Sequence, residues 1–359
     1  MVLALMKLRP RISDVASLAG TSVSTVSNLL NGRSDRMSPE TVRRVEAAIG
    51  ELGYRPHWAA RQLKTGIVPI IGLLVPSVSN PSHGDMARAI EVAAEARNLQ
   101  VVLGNTLRDP EREQRYTANL LDLGIRGVIV ASSPFDLDHF NDLIERGLRI
   151  VALDLGAAHN GVEIGIDSVS VDNRMAGYLV TRHLIDLGHT RIGYISGSTA
   201  TVSRQERQGG YLDALAEAGI SFDPALVAAT PAAFGFDDTN AADHGHAAAT
   251  QLLALPRRPT GIVGFNDMHA LGAYAAVRDL GLSVPEDISV VGIDDILLGS
   301  LIWPGLTTVH QPIDALGEAA VDLLSGRLGD DADGEARHIL LKPHLVQRAS
   351  AGPPGDSHG

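Results

Sequence analysis

The chain has 359 residues, 45% of them apolar and 20% charged, a globular composition too long for one ordinary core. It contains no cysteine, which excludes disulfides and thiolate metal sites. The net charge of −12 is unevenly spread: residues 1–66 hold ten Lys or Arg against five acids, so a head of +5 precedes a body of −17, as suits a small polyanion-binding module attached to something else.

The first ten residues, MVLALMKLRP, interrupt their apolar run at Lys7 and Arg9, whereas a secretory signal places charge first and a longer apolar region after it. No stretch approaches the roughly 18 apolar residues of a membrane span, so the expected compartment is the cytoplasm, with no membrane partner. Residues 11–53 read as three short helices. Ile12, Val15, Ala16 and Ala19 share one helical face, Gly20 interrupts, and Ser22 can cap a second helix in which Val26 and Leu30 face inward. A third helix starts at Ser38-Pro39-Glu40, carries Val42, Val45, Ile49 and Leu52 as its apolar stripe, and ends at Gly53.

Arg55 to Pro69 is a junction holding Pro56, the amphipathic piece HWAARQLK and Gly66. From residue 70 short apolar runs alternate with helical patterns, which implies parallel sheets wrapped by helices. One series is IIGLLV (70–75), a helix near 83–97, VVLG (101–104), a helix near 111–123, GVIVA (127–131) and RIVALD (149–154). A second comprises SVSVD (168–172) with a helix to Leu187, RIGYIS (191–196) with a helix near 204–218, GIVGF (261–265) with a helix to Leu280, and ISVVGID (288–294). The expected fold is therefore an all-α helix-turn-helix head on an α/β body of two doubly wound parallel-sheet subdomains. The expected division is a helical head at 1–55, a linker at 56–69, an α/β body of two subdomains at 70–348, and a disordered Gly/Pro/Ser-rich tail at 349–359.

Two helices joined by a tight turn place the second in the major groove. On that helix Asn28 can pair with adenine through its two-sided amide, Ser24 can serve either base type, and the methyls of Val23 can meet a thymine methyl. Thr25, Ser27 and Arg33 suit phosphate contacts, which position without specifying. The same polar face would equally suit an ordinary three-helix bundle. In the body, ligands of open α/β sheets bind outside the carboxyl ends of the strands. Asp154, Asn266, Asp267, Asp294, Asp295, Ser77 and Asn80 sit at such ends, where they can hold the hydroxyls of a polyhydroxy ligand or simply cap the following helices.

The run ISDVASLAGTSVSTVSNLLNGR, with SPET and IGELGYRPHWAARQLKTG after it, resembles the head and hinge of the lactose-repressor (LacI/GalR) family over about 50 nearly continuous residues. SVSNPSHGDMARAIE, VDNRMAGYLVTRHLIDLGHTRIGYISGS, FNDMHALGAY, PEDISVVGIDD and LTTVHQPI extend the resemblance to about residue 348, and through the family to periplasmic sugar-binding proteins. It implies a homodimeric repressor that binds a palindromic double-stranded operator and a small effector, commonly a sugar, without cofactor or metal. By this resemblance Val23 and Ser24 read bases, while Asn28 stands where members commonly place Arg or His. Leu63 matches the hinge leucine that wedges into the minor groove, an insertion that kinks the duplex. Ala60 and Lys64 match hinge positions that meet the groove floor and backbone. Asp154, Arg207, Asn266, Asp294 and Gln311 occupy effector-contact positions, His83 stands where many members have an aromatic, and Phe234 or Phe236 is the candidate aromatic platform.

The rival classes are an enzyme and a free-standing sugar-binding protein. No G-x-G-x-x-G, P-loop or G-x-S-x-G motif occurs, and Asp243, His244 and His246 are poorly spaced for a metal. The basic head and the lack of a signal pattern count against the second.

Overall fold

The computed structural model describes residues 10–30, 37–54, 68–133, 137–155, 158–159, 162–163, 165–196, 201–229, 240–329 and 334–355. The chain divides into two units, Met1–Val68 and Pro69–Gly359.

In the first unit, α1 (Ile12–Leu18), α2 (Val23–Leu30) and α3 (Pro39–Leu52) form a bundle around Val15, Ala16, Ala19, Val26, Val45, Ala48 and Tyr54. Ser38 caps α3 by accepting the Thr41 N–H, Pro39 occupies the first turn where no N–H is needed, and Gly53 closes the helix at φ 59°.

The second unit runs β1 (Ile70–Val75), α4 (Pro81–Glu95), β2 (Gln100–Asn105), α5 (Pro110–Asp122), β3 (Gly127–Val130), α6 (Asn141–Glu145) and β4 (Arg149–Leu153). A short antiparallel pair, β5 (Ala158–His159) and β6 (Val162–Glu163), precedes β7 (Asp167–Val171). Then come α7 (Asn173–Asp186), β8 (Ile192–Ser196), α8 (Val202–Glu217), β9 (Val227–Ala229), α9 (Ala241–Leu253), β10 (Gly261–Gly264), α10 (Asp267–Asp279) and β11 (Ser289–Val291). The chain ends with α11 (Leu297–Leu301), β12 (Thr308–His310), α12 (Ile313–Leu328), β13 (His338–Leu341) and β14 (His344–Val346).

These strands build two parallel sheets, β13-β7-β4-β3-β1-β2 and β11-β10-β8-β9, the two α/β subdomains that the alternation implies. Period-two side chains serve both faces of each sheet. Ile262 and Val290 pack with α9 and α10, whereas Val263 and Val291 pack with α7 and α8. One face of the first sheet is covered by Met86 and Ile90 of α4 and by Leu316, Val321 and Leu324 of α12.

Two expectations are corrected here. SVSVD does not open the second series: β7 pairs with β4 on one side and β13 on the other, so the first crossing to the second subdomain falls after β7. Strand pairing is non-local, and all five residues of β7 are buried between neighbours that chain order does not name. The tail is also ordered through residue 355. Ser350 is fully buried, its carbonyl takes the Val290 N–H at 2.9 Å, and its Oγ takes the Thr307 N–H at 2.8 Å. His189 Nε2 lies 2.9 Å from the Gly352 carbonyl, so backbone hydrogen bonds hold a segment that has little apolar surface to bury.

Candidate functional site

In the head, Val26 anchors one side of α2 in the core and the other side faces solvent. Ser22 caps the helix, its Oγ accepting the Thr25 N–H at 3.1 Å and lying 2.7 Å from Ser24 Oγ and 2.8 Å from Thr25 Oγ1. Val23, Ser24 and Asn28 are exposed together, and Thr25 and Ser27 are half-buried beside them. The tip of α2 is therefore an apolar methyl pair, hydroxyls and an amide at the surface, the chemistry that base edges and phosphates accept. Arg33, Ala60, Leu63 and Lys64 lie outside the described residues, as do Phe234 and Phe236.

In the body, the carboxyl ends of both sheets face one cleft, which encloses about 50 Å³. Five side chains span it as one hydrogen-bonded chain. Asp154, ending β4, accepts from Asn173 Nδ2 at 3.0 Å through Oδ1. Asn173 Oδ1 accepts from Arg207 Nε at 2.8 Å. Arg207 Nη1 donates to the Phe265 carbonyl at 2.8 Å and lies 3.3 Å from Asp294 Oδ1, which Gln311 Nε2 also reaches at 2.5 Å. Asn266 caps α10, its Oδ1 accepting from His269 N and Nδ1 at 3.0 and 2.7 Å.

This chain leaves several polar atoms over. Among the described residues, Arg207 Nη2, Asp154 Oδ2, Asn266 Nδ2 and Gln311 Oε1 make no hydrogen bond. Two donors and two acceptors converging on a cleft suit a ligand with several hydroxyls. The backbone is also unusual here: Arg108, Ser133, Asp154 and Asp294 all have positive φ, which non-glycine residues adopt at a cost and which collects at binding sites.

Behind Asp294 stands Asp267, fully buried, with Oδ1 accepting from Thr308 Oγ1 at 2.6 Å and Oδ2 from Ile296 N at 2.9 Å. Burial first, and then the charge of Asp294, push its carboxyl up to about 7. At the opposite end of the first sheet, Asp167 receives Arg327 Nε and Nη2 at 2.7 and 2.8 Å and the Arg337 N–H at 2.7 Å. Burial alone would raise its pKa, but the Arg327 hydrogen bonds and charge hold it below the ordinary carboxylate value.

The structure gathers Asp154, Arg207, Asn266, Asp294, Gln311 and His83 in the cleft lining. Ser77 is not among them. The turn after β1 buries it, and its carbonyl sits 2.8 Å from His83 Nδ1, so Ser77 positions the imidazole from behind. Sequence reasoning missed Arg108, Arg204 and Phe265 in the lining. Arg204 lies three residues before Arg207 on α8, so helical spacing alone puts both on one face. Among the described residues, no group of three or more His, Asp or Glu is arranged to hold a metal, and no helix is long and apolar enough to cross a membrane.

Comparison with known proteins gives the same two parts. Residues 11–57 match the model for bacterial regulatory proteins of the lacI family, and residues 181–351 match that for the periplasmic binding protein-like domain. The chain is 35% identical over 344 residues to the ribose operon repressor of Escherichia coli (strain K12), covering 95% of this chain and 99% of that one. It is 33% identical over 341 residues to the HTH-type transcriptional repressor PurR of Mannheimia succiniciproducens, covering 94% and 98%. Among solved structures, the Lac repressor dimer bound to operator and the anti-inducer ONPF superposes with a TM-score of 0.82 at 29% identity, covering 96% and 99%. The transcriptional regulator CelR in complex with cellobiose gives 0.70 at 32% identity, covering 95% and 100%. With a helix-turn-helix head, a two-subdomain cleft and relatives matched end to end, the chain belongs to the LacI family and is a transcriptional regulator, not an enzyme.

Proposed function

We propose that the protein is a cytoplasmic, homodimeric repressor that grips a palindromic operator through α2 and the hinge and is switched by a polyhydroxy effector held in the body cleft. The observation that carries this reading is the chain Asp154–Asn173–Arg207–Asp294–Gln311, which ties the strand ends of one subdomain to those of the other. A ligand that completes it is held by both subdomains and favours their closed arrangement. Effector and operator affinities are then coupled reciprocally, typically by about 1–3 kcal/mol. Relatives named for ribose and solved with cellobiose support a carbohydrate or carbohydrate derivative as effector.

In the head, Val23, Ser24 and Asn28 read bases, and Thr25, Ser27 and Arg33 hold phosphates. Leu63 wedges the minor groove, flanked by Ala60 and Lys64. An apolar surface of Leu297 (70% exposed), Leu301 (69%) and Trp303 (90%) supports pairing of two copies, because such a patch rarely stays uncovered.

The test is a mobility shift of the protein's own promoter fragment with competitor DNA present, repeated with candidate sugars. A specific shift that Arg207→Ala retains, but that sugar no longer modulates, is the expected result. No specific shift of any upstream fragment, or turnover of a sugar without a shift, defeats the reading.

A further inference from the structure

We infer that the body carries its own clasp, in which Ser133 of the first subdomain caps α8 of the second and so sets how far the cleft stands closed before any effector arrives. The inference rests on the reading that closure of the cleft is coupled to operator affinity.

Ser133 follows β3 in the first sheet, whose core takes Ile129 and Ala131. α8 belongs to the second sheet, where Tyr211 and Leu215 pack with Ile192, Tyr194 and Val263. Hydrogen bonds join the two. The Ser133 carbonyl accepts the Val202 N–H at 3.3 Å, and its Oγ accepts the Ser203 N–H at 3.2 Å. The same Oγ donates to the Asp154 carbonyl at 2.9 Å, which commits its proton to the first subdomain and its lone pair to the helix. The chain crosses between subdomains after β7, between β11 and α12, and between β13 and Ser350. Ser133 and the start of α8 lie outside these stretches, so no covalent link nearby keeps them together.

The first four N–H groups of a helix have no partner within it. In α8 the Thr201 side chain meets the Arg204 N–H, and the opposite subdomain meets those of Val202 and Ser203. Closure completes the cap, and opening hands both donors to water. Because water replaces the lost partner, each bond changes the closing equilibrium by only about two- to tenfold. That biases the cleft without locking it. The apparent affinity of an effector that needs the closed arrangement then scales with the fraction already closed. Ser133 holds φ 50°, a conformation that costs a non-glycine residue, and in it both oxygens serve α8. α8 also carries Arg207, so the clasp seats the helix whose guanidinium reaches Asn173 and Asp294.

Two variants each remove one bond and leave the other to be read. Ser133→Ala deletes the Oγ and keeps the carbonyl. Val202→Pro deletes the N–H: proline suits the first position of a helix, and Thr201 before it already stands extended at φ −138°, ψ 151°. In hydrogen exchange on the full-length protein without effector, the Val202 and Ser203 amides should be more than about tenfold slower than unstructured chain. Ser133→Ala should speed the Val202 amide, and Val202→Pro the Ser203 amide, by about threefold or more. Val202→Ala keeps the N–H and should leave Ser203 at the parent rate. Affinity for the promoter fragment, again without effector, should change by about threefold or more, in the same direction for Ser133→Ala and Val202→Pro. Unprotected amides in the parent overturn the inference, and so does protection that survives in both variants. Faster exchange with operator affinity unchanged, or moved in opposite directions, removes the clasp from the switch and leaves the repressor reading standing. A parent that shifts no promoter fragment defeats that reading and the switch with it, and the exchange rates still decide whether the clasp exists.

Discussion

A β-carbon on Gly177 would stand 2.0 Å from the backbone oxygen of Arg207. The contact is reciprocal: on the other helix, a β-carbon on Gly210 would meet the Arg174 oxygen at 1.9 Å. α7 and α8 therefore touch backbone to backbone, and the same device recurs where Gly245 and Gly272 join α9 and α10. Because Arg207 joins the two sides of the cleft, its backbone position is set by a residue that touches no ligand. Gly177→Ala should push α8 outward, cost about 1–3 kcal/mol of stability by overpacking, and blunt the effector response while operator binding persists. Thermal unfolding and effector-dependent mobility shifts measure both; a normal response in the variant removes the positioning role.

Asp267 gives a pH signature. Its carboxyl titrates near 7 when folded, against an ordinary 3.8, so its contribution to stability is full below about 4. That contribution is lost as pH rises through about 7, where the unfolded chain carries the charge more cheaply. Asp267→Asn removes this dependence but also disturbs the Ile296 N–H contact, a loss that does not vary with pH. The melting temperature of the variant relative to the parent should therefore climb between about pH 4 and about pH 7 and level off above that. A constant difference refutes the assignment.

Arg327 holds the end of α12 to the first residue of β7 through a two-pronged ion pair with Asp167. Arg327→Met strands a carboxylate that is 3% exposed, and should cost about 3–5 kcal/mol in urea unfolding. A loss under about 1 kcal/mol would mean that the Arg337 N–H alone suffices.

Asn28 is exposed on α2 and bonded to nothing in the core. Asn28→Ala should leave head stability unchanged and weaken operator binding by about 1–3 kcal/mol, with relaxed choice at one A·T pair. An equal loss on scrambled DNA would make it a backbone contact instead.

The readable parts of the molecule are those whose causes are local. The Ser22 and Ser38 caps, Gly53 and the apolar stripes of α1 to α3 lie within a few residues of their effects. The cleft positions of Asp154, Asn266 and Asp294 were legible because each follows a parallel strand whose carboxyl end faces the cleft. The first α4 turn starts at Pro81, two residues earlier than periodicity suggests, because Asn80 caps it by accepting the Ser82 N–H. Arg207 needed the family resemblance, since nothing local separates it from any helical arginine. Ser77 misled because a strand end offers both a cleft-facing and a buried position, and the turn chose the second. The place of β7 depends on β13, where His338 pairs with Ser168, and the order of residues 349–355 depends on His189, 163 residues from Gly352, and Val290, 60 residues from Ser350, partners that no local pattern reveals.

The interleaving of β7, α12 and β13 has a consequence for synthesis. A nascent chain that has emerged only as far as residue 310 has its second sheet in hand, but the first still lacks α12 on one face and β13 on one edge. The earlier-made subdomain must wait on the ribosome for the later one. Premature termination then yields a DNA-binding tip on an unfinished sheet, a product for proteases rather than a repressor deaf to its signal.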